Sequence, residues 1–125
     1  MLKSQNLHLI QSKFKDANPY DARLAESERV VSKYPDRVPI ICEKMQQQDL
    51  PDIDRHKYLA PYDLTLGQFT VVIKGRIRLP PEYALTIFIN NKIIPSTATL
   101  GQIYANEKDI DGFLYMRYAK ENVFG

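Results

Sequence analysis

This sequence has little of what an enzyme or a membrane protein needs. Its single cysteine, Cys42, cannot form an internal disulfide, which fits a reducing compartment. Cys42 also alternates with Val38 and Ile40, so it reads as inert core and not as a nucleophile. There are two histidines, His8 in a tail-like opening and His56 flanked by Arg55 and Lys57, and with one cysteine they make no metal site. Glycine is scarce at five residues, and "KGRIRLPP" contains one glycine where a phosphate-binding loop needs several. The acids of "DLPDID" lack the ligand pattern of a calcium loop. Long apolar runs are missing too. None approaches the roughly 20 residues of a spanning helix, and Lys3, Gln5, Asn6 and His8 interrupt the opening where a signal-peptide core would lie. The expectation is a cytosolic protein without catalytic apparatus, cofactor or metal.

The net charge of +2 is too small to predict a nucleic-acid binder, but its distribution is informative. Between positions 55 and 78 five basic residues (Arg55, Lys57, Lys74, Arg76, Arg78) face one acid, Asp63. A basic surface in a nearly neutral protein suits an acidic partner or an anionic membrane.

The 125 residues suffice for one core without staples. Residues 1–35 read as an extension plus two helices, one around Ile10 to Ala17 and one in "NPYDARLAESERVVSKY". For the second, Asn18 is the expected N-cap and Pro19 the first helical residue. Residues 36–125 read as the core. "VPIICEK" is a β-branched, alternating strand with Val38, Ile40 and Cys42 on one face and Pro39, Ile41 and Glu43 on the other. "HKYLA" is short, basic and ended by Pro61, as protected edge strands are. Thr65 and Gln68 form a capping box that opens a helix with an apolar stripe of Phe69, Val72, Ile73 and Ile77. "YALTIFIN" and "GFLYMRYA" read as central strands, and a second "TLGQ" at residues 99–102 opens another short helix. A hairpin, a helix crossing it and two further strands describe an α+β fold, a ubiquitin-like β-grasp with two added N-terminal helices.

An exposed edge strand can take up an extended peptide by β-augmentation. Pro39 and Ile41, apolar on the strand's outward face, need a cover, either an N-terminal helix or a ligand side chain.

The stretches "KYPDRVPIICEK", "KYLAPYDLTLGQF" and "GFLYMRYAKENVFG" together resemble the autophagy ubiquitin-like modifiers of the GABARAP and microtubule-associated light-chain-three type, from about Phe14 to Gly125. That resemblance implies conjugation through Gly125 to phosphatidylethanolamine on autophagic membranes. The protein is then a substrate of activating and conjugating enzymes in a thioester relay, and of a processing and deconjugating cysteine protease. It moves from cytoplasm to autophagosomal membrane on lipidation. A terminal glycine occurs by chance in about one chain in fourteen, so only the resemblance gives it meaning. The resemblance also implies binding of short acidic aromatic-x-x-aliphatic motifs in cargo receptors and adaptors. An aromatic-anchor pocket is then lined by Glu26, Val30, Pro39, Ile41, Lys57, Leu59 and Phe113. An aliphatic-anchor pocket uses Tyr58, Ala60, Pro61, Leu64, Phe69 and Val72. Arg37, Arg55 and Lys57 meet the acidic flank. Ala60 is smaller than the branched residue common in that pocket. The alternative is a ubiquitin-like adaptor, cytoskeletal or trafficking, that uses the pockets without conjugation.

Overall fold

The computed structural model describes residues 12–46 and 49–122. Two helices come first, α1 (Lys13–Ala17) and α2 (Tyr20–Lys33). Then follow β1 (Arg37–Lys44), β2 (Lys57–Pro61), α3 (Leu66–Ile77), β3 (Tyr83–Ile89), β4 (Lys92–Ile93), α4 (Leu100–Glu107) and β5 (Leu114–Asn122). The sheet order is β2-β1-β5-β3-β4. β1 and β5 run parallel at its centre, and the other neighbours are antiparallel. This is the expected β-grasp, with "GFLYMRYA" central and "HKYLA" at an edge.

The alternation in β1 sorts its side chains as read from the sequence. Val38, Ile40 and Cys42 enter the main core with Phe69, Ile73 and Ile77 of α3 and Leu114, Met116 and Tyr118 of β5. On the opposite face α2 packs against β1, so the cover that Pro39 and Ile41 require is an N-terminal helix. Pro39 in a central strand is unusual, because proline cannot donate to a ladder. Its position removes the cost. The bonds Cys42 N to His56 O (2.8 Å) and Tyr62 N to Asp36 O (3.0 Å) show that even-numbered β1 residues bond toward β2. Pro39 therefore turns its nitrogen the other way, one residue before pairing with β5 begins at Ile40.

Three expectations need correction. Asn18 does not cap α2: it ends α1, and Pro19 stands at the α2 N-cap without a side-chain bond. Asn18 Nδ2 instead donates back to Phe14 O (2.9 Å). Val72 is not part of the buried stripe of α3, which is Leu66, Phe69, Ile73 and Ile77, while Val72 is exposed. β4 was not expected. Its signal was the pair Asn90-Asn91, both at positive φ (53° and 61°), the residue type that a tight hairpin turn requires.

Both "TLGQ" capping boxes form: Gln68 N donates to Thr65 Oγ1 (3.1 Å), and Gln102 N to Thr99 Oγ1 (3.2 Å). The two caps also pair with each other. Leu66 N reaches Ala98 O (2.9 Å) and Leu100 N reaches Leu64 O (2.8 Å), around a bridge between Thr65 and Thr99. The tetrapeptide thus recurs because the two helix starts lie back to back. The second glycine follows from that closeness, since a Cβ at Gly101 would run into the Tyr62 ring.

Candidate functional site

One edge of the sheet is β2, and the register with β1 decides what it offers. Tyr58 and Ala60 lie opposite Ile40 and Val38, so their backbone groups are spent on β1 and their side chains face the α3 core. Lys57 and Leu59 lie opposite Ile41 and Pro39. By the same alternation their N–H and C=O groups point off the sheet and their side chains face the α1/α2 side. One strand therefore carries two different walls and one hydrogen-bonding edge.

On the α3 side, Tyr58 stacks edge-on against Phe69 with ring centroids 5.4 Å apart. Phe69 and Ala60 belong to the hydrophobic core, Leu64 packs against it, and Pro61 and Val72 are exposed. Burial raises the Tyr58 phenol's pKa, and the neighbouring Arg76 guanidinium offsets part of the rise.

On the other side, Pro39, Ile41 and Phe113 form a floor with almost no exposure, while Glu26, Val30 and Leu59 are half-buried around it. Lys57 Nζ reaches across to Glu26 Oε2 at 2.7 Å, tying β2 to α2. The resemblance-derived set is thus brought together on the two faces of one strand. Its basic members stand at the rim. Arg37 and Arg55 are exposed, and Arg37 Nη1 donates to Leu59 O (3.2 Å), one of the edge carbonyls. Gly125 lies outside the described residues.

Phe14 and Asp111 were not anticipated as members of this region. Phe14 meets Phe113 edge-on at 5.3 Å, and Lys57 Nζ stands 5.7 Å from its ring. α1 is fastened there from several directions. Ser12 Oγ donates to Glu43 Oε1 (2.7 Å), Phe14 N to Glu43 Oε2 (3.0 Å), and Lys15 Nζ to Asp109 Oδ1 (2.8 Å). Asp111, fully buried, binds Arg23, Tyr115 and the Phe113 amide. The sequence signal available for both was weak: an isolated phenylalanine and one acid in "DIDG".

The arrangement offers no nucleophile. Cys42 is fully buried, and burial, then the neighbouring Glu43 charge, push its thiol well above the ordinary range. A hydrolase using Cys42 would need it accessible and as thiolate, and it is neither. Among the described residues no group of acids, histidines and cysteine is placed to hold a metal ion, and no helix is long and apolar enough to cross a membrane.

Comparison with known proteins places this geometry. The family described as "Autophagy protein Atg8 ubiquitin like" matches residues 22–125. Autophagy-related protein 8 of Emericella nidulans is 51% identical over 116 residues, covering 93% of this chain and 98% of that protein. Autophagy-related protein 8a of Arabidopsis thaliana is 51% identical over 117 residues, 94% of this chain and 96% of that protein. The crystal structure of Trypanosoma brucei ATG8 superposes with a TM-score of 0.85 at 43% identity, covering 92% of this chain and 99% of that one. With five strands, an α3 crossover and a family match over most of its length, the chain belongs to the Atg8 family of autophagy proteins, ubiquitin-like modifiers rather than enzymes.

Proposed function

We propose that this protein is conjugated through Gly125 to phosphatidylethanolamine and, on the membrane, docks receptors carrying an acidic aromatic-x-x-aliphatic motif along β2. The docking half rests chiefly on the two-faced edge strand. In an extended peptide, residues three apart have opposite parity, so their side chains leave on opposite sides of the sheet. A peptide paired to the edge at Lys57 and Leu59 sends one anchor toward Pro39, Ile41 and Phe113. Its other anchor goes toward Tyr58, Leu64 and Val72. The opposite parity of the two anchors matches the two faces of β2.

The rim fits the motif's charge. Leu59 O keeps a second lone pair for a ligand amide beside its bond from Arg37 Nη1, and the remaining Arg37 donors lie with Arg55 at the rim for an acidic residue. Lys57 is already paired with Glu26, so a ligand acid gains little new ion-pair energy there and the specificity lies in the arrangement.

Conjugation rests on family membership, on the match reaching residue 125, and on the chemistry of glycine. Glycine has no side chain to obstruct attack on its carbonyl carbon. The amine nitrogen of the lipid bonds to that carbon, the thioester C–S bond to a conjugating enzyme breaks, and the amine loses a proton. ATP consumed in the activating step supplies the driving force. Two acyl chains then hold a domain that one chain would anchor only marginally. The protein is on this reading a substrate of the activating, conjugating and deconjugating enzymes, cytoplasmic until lipidated and then autophagosomal.

The test is incubation with the family's activating and conjugating enzymes, ATP and phosphatidylethanolamine liposomes. A lipidated band is expected from the wild type and none from Gly125→Ala. No band from wild type in a reaction that lipidates a control Atg8 protein would reject conjugation and leave the adaptor reading.

A further inference from the structure

The least expected group in the molecule is a carboxylate with no contact to solvent. Asp111 has 0% exposure, and a buried charge is tolerated only when it is paired and its lone pairs are filled. Both conditions hold. Oδ1 accepts from Phe113 N (2.9 Å), while Oδ2 accepts from Arg23 Nε (2.8 Å) and from the Tyr115 hydroxyl. Ser27 Oγ donates to the Asp111 backbone carbonyl. Arg23 is held in turn, donating from Nη1 to Asn18 O at 2.6 Å.

The partners come from two bodies. Arg23 and Ser27 stand one turn apart on α2, the helix whose Glu26 and Val30 flank the aromatic side of the site. Phe113 and Tyr115 lead into and along β5, and Phe113 is part of its floor. Gly112 makes the approach possible: it sits at φ +88°, and a Cβ there would run into Ser27 Oγ. The Phe113 amide and the α2 guanidinium are therefore referred to the same carboxylate. Any shift between wall and floor must stretch a charged hydrogen bond in a dry site, where such bonds are strongest.

We propose that Asp111 is a positioning residue that fixes the distance between α2 and Phe113, and so determines which aromatic side chain the pocket accepts. This rests on the docking reading above. The ion pair itself supports it: burial lowers the Arg23 pKa, but the hydrogen bond that Arg23 donates to Asp111, together with the electrostatic effects of Tyr115, Asp111 and Asp109, outweighs this and the net shift is upward.

The experiment measures affinities of three acidic peptides that differ only in the aromatic anchor, tryptophan, phenylalanine or tyrosine, by fluorescence anisotropy. A fourth varies only the aliphatic anchor. Wild type, Asp111→Asn and Tyr115→Phe are compared, with melting temperatures alongside. Tyr115→Phe removes one hydroxyl and keeps the ion pair, so it decides the matter if Asp111→Asn does not fold. Both variants should compress the tryptophan-to-phenylalanine affinity ratio, by at least about threefold for Asp111→Asn and less for Tyr115→Phe. Discrimination at the aliphatic anchor should stay as in wild type. Lower melting temperatures with an unchanged aromatic ratio would make Asp111 merely structural and overturn the inference. A wild type that binds none of the peptides removes the docking reading, and the inference with it.

Discussion

The two sides of β2 are held together by different forces. On the α3 side, Tyr58 meets Phe69 and Ala60 joins Phe69, Ile73 and Leu66 in the main core, with one long, largely exposed ion pair, Arg76 to Asp54 (3.8 Å), beside it. On the α1/α2 side, the walls come from distant parts of the chain and are joined by charge: Lys57 to Glu26, Arg23 to Asp111, Lys15 to Asp109. The first wall is as stable as the domain, because moving it means opening the core. The second can shift while the core stays intact, since an apolar contact is non-directional whereas a charged clasp breaks when one partner is neutralised. One pocket is thus a surface of the fold and the other an assembly upon it.

Truncating the core breaks this comparison most severely. Phe69→Ala should lose about 3–5 kcal/mol of folding stability, read from denaturant midpoints, because Phe69 is 2% exposed. Val72→Ala, one turn away but 47% exposed, should change stability by no more than about 0.5 kcal/mol. It should still weaken binding of the aliphatic anchor. A Phe69→Ala protein with a wild-type midpoint would mean that the α3 wall is not core.

The sequence disclosed these two sides unequally, for a physical reason. Period-two alternation in "VPIICEK", Thr65 and Gln68 three apart, and the proline after "HKYLA" are local signals, and each led to the right element. Phe69, read as part of the apolar stripe of α3, does lie in the core. What the residues could not disclose was assembled from far apart. Asp111 finds Arg23 88 positions away, Lys57 finds Glu26 31 away, and no short-range pattern marks such pairs. Val72 was misplaced because a stripe read at helical spacing does not say where the apolar face ends. Pro39 and Ile41 were correctly seen to need a cover, yet the sequence left helix and ligand equally possible.

Within the assembled side, packing should outweigh charge. Leu59→Ala should weaken an acidic aromatic-x-x-aliphatic peptide about tenfold, equivalent to about 1.4 kcal/mol, through lost apolar contact. Lys57→Ala should cost only about twofold to threefold, because an exposed ion pair contributes roughly 0–1 kcal/mol. The Lys57 effect should shrink in high salt and the Leu59 effect should not. Titration calorimetry at two salt concentrations checks both. Equal losses from the two variants would reverse the ranking, and no loss from either would discard the pocket.

The smallest effect is a pH dependence confined to one side. At Asp109, burial disfavours the carboxylate, but the hydrogen bond from Lys15 and the Asp111 backbone amide outweigh it, so its pKa is lowered. A carboxyl whose folded value lies below its unfolded one, about 3.9, stabilises fully above that unfolded value. The contribution is lost as pH falls through the depressed folded value. Acidification should therefore release the Lys15 tie of α1 below about pH 4, where neither Tyr58 nor Phe69 changes its charge. Lys15→Gln removes this tie at every pH and takes away the main favourable partner of Asp109, so Asp109 should titrate closer to its ordinary value. Amide chemical shifts of Phe14 and Phe69, followed from pH 7 downward, distinguish the faces. The Phe14 curve should lose the step that release of the tie produces in Lys15→Gln, with Phe69 unmoved over the same range. Superimposable Phe14 curves would show that Glu43, through Ser12 and the Phe14 amide, holds α1 without help from Asp109.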